Sequence, residues 1–295
     1  MLLLQLTAGE ASAFVYATMA IPMLAWAVYS SLVLVFAFAR KRYGWAAANI
    51  GVLVTSVFTL GGYSFGTPTS LQQPTLRVMT LNVQLFNNHA IHEVAEAIKS
   101  EDPDIVCLQE LPTTGQEKRF AELFDGYNFA NVRRLGILSK HPIGQQNNWA
   151  LGFHGRHAFG VEIEIEGTPI TVISVHLQHF PTDNLIETPK AAQNLRVEIE
   201  WLERIVASLK DSPLIIAGDL NSIPQGRANR MLRMHLTDAF AATSRGFGYT
   251  LPSSFPLRRI DYIYTGNGLT PTASHVPEFI ISDHRAVVSE VALAK

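Results

Sequence analysis

Asp219 and Asn221 stand two apart in the stretch Gly-Asp-Leu-Asn, directly after the apolar run Pro-Leu-Ile-Ile-Ala. On a strand, side chains at that spacing point the same way, so a carboxylate and a carboxamide would face one spot at the strand's end. Such a spot calls for a polar occupant. Similar groups close other short runs: Asn82 in TLNV, Glu110 in CLQE, His176 in SVHL, Asp261 in RIDY, and Asp283 with His284 in SDH. Each alone reads as a turn former or a cap. Together they supply the parts that hydrolysis of a phosphate ester requires: neutralised phosphoryl oxygens, a deprotonated water, and stabilised charge on the leaving oxygen.

The elements that must position these residues are readable from periodicity. LRVMTLNV, DIVCLQ, LGILSK, VEIEIE, ITVISVHL, PLIIAGDL, IDYIY and AVVSEVAL read as strands. Val161, Ile163 and Ile165 alternate with Glu162, Glu164 and Glu166, the pattern of an antiparallel strand with one wet face. Ile91, Val94, Ala95 and Ile98 form the apolar stripe of a helix that Asn88 would cap. A second stripe runs from Leu195 through Ile199, Leu202, Ile205 and Val206 to Leu209, opened by Thr188-Pro189. Strands apolar on both faces, with helices between strand pairs, predict packed sheets covered outside by helices.

The order of LNV, LQE, GDLN and SDHRAV resembles the endonuclease/exonuclease/phosphatase superfamily, the DNase I-like fold, across essentially all of residues 75–295. That resemblance implies an α/β, four-layer αββα sandwich of two packed, mostly antiparallel sheets. It also implies a phosphoesterase dependent on Mg²⁺ or Mn²⁺, hard cations that take oxygen ligands. Glu110 beside Asn82 would form the core of the metal site, with Asp283 a further ligand. His284 would be the histidine at the scissile phosphate and Asp261 its carboxylate partner. Asp219 would orient or deprotonate the attacking water, Asn221 would donate to a phosphoryl oxygen, and His176 would contact phosphate or protonate the leaving group. Gln84 stands where the abasic-site repair branch tends to have an acidic residue, and Leu111-Pro-Thr-Thr replaces a segment in which that branch carries a lysine, which argues against DNA repair.

Other residues argue by what they lack. Cys107 is the only cysteine, in an apolar run, so neither a disulfide framework nor a cysteine zinc site exists and a buried core position is expected. His89 and His92, like His176 and His179, are three apart without HExxH spacing, and His154 and His157 fall in a glycine-containing stretch, so a zinc hydrolase is disfavoured.

The chain of 295 residues is 47% hydrophobic and 16% charged, and the apolar excess is concentrated near the start. Runs at about 11–39 and 45–65 are each near the roughly 20 residues a bilayer-spanning helix needs, with Arg40-Lys41-Arg42 between them. The expectation is a membrane anchor over 1–66 with two transmembrane helices, a linker over 67–74 and a catalytic domain over 75–295, facing the extracytoplasmic side. Setting aside Arg40, Lys41, Arg42 and Glu10 leaves that domain 20 basic and 24 acidic residues, a formal net charge of about −4. Overall charge thus shows no polyanion footprint, although Arg133-Arg134 and Arg258-Arg259 could line one face. The expected partners are the bilayer and a phosphate ester, either a lipid headgroup or, as the alternative, DNA or RNA; a phosphomonoesterase and a silent binding module are the remaining readings.

Overall fold

The computed structural model describes residues 23–55, 62–69, 75–86, 90–113, 115–153, 155–179 and 188–293. Two six-stranded sheets form its centre. One contains β2 (Thr75–Asn82), β3 (Ile105–Gln109), β4 (Asn128–Val132), β5 (Leu135–Ser139), β13 (Leu269–His275) and β14 (Val287–Leu293), in the order β13-β14-β2-β3-β5-β4. The other contains β6 (Ile143–Ala150), β7 (His157–Ile165), β8 (Thr168–His176), β9 (Leu214–Asp219), β10 (Thr237–Asp238) and β12 (Asp261–Gly266), in the order β10-β12-β9-β8-β7-β6. Only the pairs β2–β3 and β8–β9 are parallel, so the expectation of mostly antiparallel sheets is borne out. A small outlying sheet pairs β1 (Ser64–Phe65) with β11 (Arg245–Gly246).

The apolar strands explain the layering. In β2, Leu76 and Val78 face the other sheet while Met79 and Leu81 face outward, and in β9 Ile215 and Ala217 face inward while Leu214 and Ile216 face outward. Val161, Ile163 and Ile165 lie in the core between the sheets, as their alternation predicts. Helix α3 (Ile91–Ser100) lays Val94, Ala95 and Ile98 against the outer face of the first sheet. Helix α5 (Thr188–Ser208) lays Leu195, Ile199, Leu202, Ile205 and Val206 against the second. Each buried Val, Leu or Ile among them is worth about 1.5–3 kcal/mol relative to exposure. The sequence Asn88, expected to cap α3, lies outside the described residues; the helix starts after Ala90 without a side-chain cap. Cys107 is fully buried between the sheets and its thiol pKa is pushed up by that burial.

The membrane expectation is overturned. Among the described residues no helix is long and apolar enough to cross a membrane. Among the described residues helix α1 (Met23–Ala39) covers 17 residues and α2 (Tyr43–Thr55) covers 13, about 25 and 20 Å at roughly 1.5 Å per residue, short of a hydrocarbon core of about 30 Å; residues 11–22 and 56–61 of the expected spans lie outside the described residues. The second apolar run is not one element either. Ser64–Phe65, expected at the end of a spanning helix, pair as β1 with Arg245–Gly246. Gly66 then passes so close to Ala242 that a Cβ there would lie 2.4 Å from its carbonyl carbon, and Thr69 N–H donates to the Thr272 carbonyl at 2.8 Å. A two-pass anchor and the extracytoplasmic placement derived from it are therefore withdrawn.

Candidate active site

Strand register brings the polar residues to one rim. His176 is level with Asp219 across the parallel β8–β9 pair, and Asp261 is level with Asp219 across the antiparallel β9–β12 pair. Three neighbouring strands thus present an imidazole and two carboxylates side by side. Gly218 makes this register attainable: at φ 152° its backbone lies so near β8 that a Cβ would sit 2.0 Å from the Val175 carbonyl oxygen. In the facing sheet Asn82 ends β2 level with Gln109, and Glu110 follows directly with φ 55°. Gln109 Nε2 donates to Ser174 Oγ at 3.1 Å, and Asn82 Nδ2 donates to Asp219 Oδ2 at 3.1 Å, so hydrogen bonds join the two sheets at this rim.

Asp219 is the hub. It is almost fully buried, its Oδ2 lies 3.6 Å from His176 Nε2 and 3.8 Å from His284 Nε2, and burial pushes its pKa up to about 7, with the His284 charge opposing and Asp261 adding to the rise. His284 Nδ1 bonds Asp261 Oδ2 at 2.9 Å. Burial works against a charge on His284, but Asp261 and Asp219 outweigh it and hold its pKa up at about 10, so the imidazole is cationic at neutral pH. His176 is the opposite case: burial, then Arg156, His284, His179 and Arg134, hold it well below its ordinary range. Its separations from Asp219 and from Glu110, 3.6 and 3.7 Å, are therefore polar contacts of a neutral ring and not ion pairs.

Two of the expected placements change. Strand β9 ends at Asp219, and Asn221 sits beyond it at φ 47°, so the two do not meet as strand neighbours. They meet through a turn in which Asn221 N–H donates to Asp219 Oδ1 at 2.8 Å. The Asn221 amide donates to Leu177 O at 3.0 Å and to Asp219 Oδ2 at 3.3 Å, which positions the carboxylate and leaves no amide hydrogen aimed outward. Asp283 accepts from Ser282 Oγ at 3.2 Å, and its carbonyl accepts from Ser253 N–H at 2.7 Å; it does not join the close cluster. Ser282, which the reading of motifs passed over, donates to the Asn82 carbonyl at 2.6 Å and so ties the SDH loop to β2. Arg259 is also displaced from expectation, buried against Asp238 and between the rings of Phe240 and Tyr262.

Asp219, Asp261 and His284 each offer a ligand atom within 4.8 Å of the others, close enough to hold a metal ion. A cationic imidazole has no lone pair to give, so ligation there requires His284 to lose one ring proton, that of Nε2, while Nδ1 keeps its bond to Asp261. Glu110 fits a hard cation better. It is 28% exposed at the cleft, and its side chain meets only Asn82 Nδ2 at 3.2 Å and neutral His176, with no Lys or Arg partner among the described residues. Asn82 fits only after its amide turns, because its oxygen now accepts from Gln84 N–H at 3.0 Å. Among the described residues no histidine pair forms a metal cluster; His157 bonds Asn148 Oδ1 at 2.8 Å and His92 is exposed, while His89 and His154 lie outside the described residues.

Two packed sheets covered by helices, with carboxylates and histidines along one rim, make up the architecture of the DNase I-like hydrolases. The chain belongs to the Endonuclease/Exonuclease/phosphatase family, whose sequence pattern matches residues 79–284. The uncharacterized protein YbhP of Escherichia coli (strain K12) is 27% identical over 264 residues, which cover 77% of this chain and all of that protein. Among solved structures, an endonuclease/exonuclease/phosphatase from Bacteroides vulgatus superposes with a TM-score of 0.63 at 16% identity, over 75% of this chain and 100% of that one. The mannosyl-6-phosphatase Bt3783 of Bacteroides thetaiotaomicron gives 0.63 at 16% identity, over 74% and 100%. A humanized D. rerio TDP2 gives 0.60 at 15%, over 74% and 98%. At these identities the structures share the fold.

Proposed function

We propose that the chain is a divalent-metal-dependent hydrolase of phosphodiesters, with residues 75–295 as its catalytic unit. The observation that carries this reading is the buried His284–Asp261 pair at 2.9 Å with Asp219 beside it. Asp219, with its pKa raised to about 7, takes the proton of the attacking water. His284 stays protonated and stabilises charge on the phosphoryl oxygens, while Asp261 holds its ring orientation. Asn221 and Asn82 hold the Asp219 carboxylate in place. Neutral His176 donates to a phosphoryl or leaving oxygen. A divalent cation held by Glu110 would supply further neutralisation of those oxygens when bound; Asn82 could join it only by giving up its bond to Asp219, which Asn221 would then hold alone.

The lipid-headgroup expectation rested on the membrane tether and loses that support. A nuclease acting on DNA or RNA is the second reading, favoured by one observation: Arg133, Arg134 and Arg156 line the cleft that Glu110 and His176 share. The test compares hydrolysis of bis(p-nitrophenyl) phosphate, p-nitrophenyl phosphate and plasmid DNA, with and without Mg²⁺, by the wild type, Asp219→Asn and His284→Ala. Diester turnover lost in both variants supports the proposal. Monoester turnover alone would replace it with a phosphomonoesterase, and no turnover at all would favour a binding module.

A further inference from the structure

The cleft beside the catalytic rim has a volume of about 500 Å³ and is lined by Glu110 and His176 together with Arg133, Arg134, Arg156 and His179. This is a concentration of cations in a chain whose formal net charge is −2. Arg133 and Arg134 are the two residues of the turn between β4 and β5, and Arg133 takes φ 55°. Turns of that length favour Asn-Gly or Asp-Gly, because residues without a bulky Cβ reach positive φ at least cost. Two arginines there forgo that preference. The turn is pinned to the rim, since the Arg134 carbonyl accepts from Leu111 N–H, next to Glu110, at 3.0 Å.

Among the described residues neither Arg133 nor Arg134 has a carboxylate within ion-pair distance, and both are exposed. Arg156 is fixed by its bond to the His176 carbonyl at 3.2 Å, and its Nε is 3.8 Å from Glu198 Oε1. Burial pushes Glu198 up to about 7, so that carboxyl only partly offsets the guanidinium. Arg156 and Arg134, beside the larger effect of burial, help to hold His176 neutral.

We infer that Arg133, Arg134 and Arg156 form a subsite for a second phosphate, carried by the same substrate molecule a few bonds from the scissile one. Guanidinium groups bind phosphate oxygens through paired N–H groups, and like charges held together with little carboxylate compensation gain most when a dianion enters. A cleft of this size exceeds what one phosphoryl group fills. This rests on the phosphoester reading above and specifies its substrate as a bisphosphate or a strand with successive phosphates.

The test separates the two claims. Binding of inorganic pyrophosphate and of inorganic phosphate to the metal-free full chain is measured by calorimetry at low salt, for the wild type, Arg133→Gln/Arg134→Gln and Arg133→Lys/Arg134→Lys. Pyrophosphate is expected to bind the wild type at least about tenfold more tightly than phosphate, from added charge-assisted hydrogen bonds. The glutamine pair should lose that preference and the lysine pair should keep part of it, a rescue that a mere turn defect would not show. Equal affinities for the two anions in the wild type, or an unchanged preference in the glutamine pair, would overturn the subsite. Loss of the preference together with absent diester turnover would keep the subsite and sink the hydrolase reading; Asp219-dependent turnover with an unchanged preference would do the reverse. Competition by a short oligothymidylate and by a sugar bisphosphate then identifies the source, a strand or a small molecule, by which displaces pyrophosphate at lower concentration.

Discussion

At the residue scale, the neighbours of Asp219 Oδ2 divide the work: Asn82 and Asn221 donate to it at 3.1 and 3.3 Å, while His176 and His284 stand off at 3.6 and 3.8 Å. Removing the base or the cation should each cost roughly 10²–10⁴ in turnover, the range of general acid–base groups. Steady-state kinetics on bis(p-nitrophenyl) phosphate with Asp219→Asn and His284→Ala check this; a loss under tenfold in either would exclude it from the chemistry. With Asp219 near 7 and His284 near 10, the rate should rise as pH passes about 7 and fall as it approaches 10. Stability follows the same proton on His284. Its folded pKa of about 10 exceeds its ordinary 6.5, so its stabilisation is complete below about 6.5 and is lost as pH climbs to 10. Melting of the metal-free protein at pH 7 and pH 10 should show a drop that shrinks in His284→Gln, and equal drops would place the proton elsewhere.

At the element scale, β9 and its neighbours must approach one another closely for the rim to exist. Gly218→Ala would drive a Cβ to within 2.0 Å of the Val175 carbonyl oxygen. Strand separation at that point should cost at least about 3 kcal/mol in urea unfolding, the scale of severe overpacking. The entry to β12 depends on the buried pair of Arg259 and Asp238, with Asp238 also capping the short helix α7 (Ala239–Thr243) through Ala241 N–H at 3.1 Å. Arg259→Ala should destabilise by about 3–5 kcal/mol, because it leaves a buried carboxylate without its partner. Denaturant midpoints at equal m-value measure it. The arginine pair at 258 and 259 shows why adjacent charges cannot be assigned from sequence. Successive residues face opposite ways, so Arg259 turns inward to Asp238 and Arg258 stays half-buried, its pKa lowered by burial and only partly restored by Asp219.

At the scale of the whole molecule, the site exists only where the two sheets meet. Glu110 and Asn82 come from one sheet and His176, Asp219 and Asp261 from the other, with His284 on the loop before β14. Glu110→Gln should raise the Mg²⁺ concentration for half-maximal rate by at least about tenfold, since one hard anionic ligand is lost. Chelation by EDTA should abolish turnover of the wild type and Mg²⁺ should restore it; turnover that survives chelation would remove the metal from the mechanism. The N-terminal helices are where composition misled. An apolar count registers residues, not the elements they form: the turn at Arg40–Arg42 falls where it was expected, but Ser64–Phe65, at the end of the second run, pair as a strand.

Periodicity alone marked eight of the twelve strands in the two large sheets, the helices α3 and α5 and the apolar faces that stack them, because burial on a defined face requires a defined period; it passed over β4, β6, β10 and β13. Residue types and their order were enough to mark Asn82, Glu110, His176, Asp219, Asp261 and His284. What they could not settle was which groups touch. The turn that brings Asn221 back onto Asp219, the exclusion of Asp283 from the cluster and the opposite charge states of His176 and His284 depend on burial and on distances of about an ångström. The arginine cleft was equally hidden, because Arg133 and Arg134 reach Arg156 only when separate hairpins are folded against one rim. Those are properties of the packed sheets, since electrostatic energies follow separation and solvent exposure in space and not position along the chain.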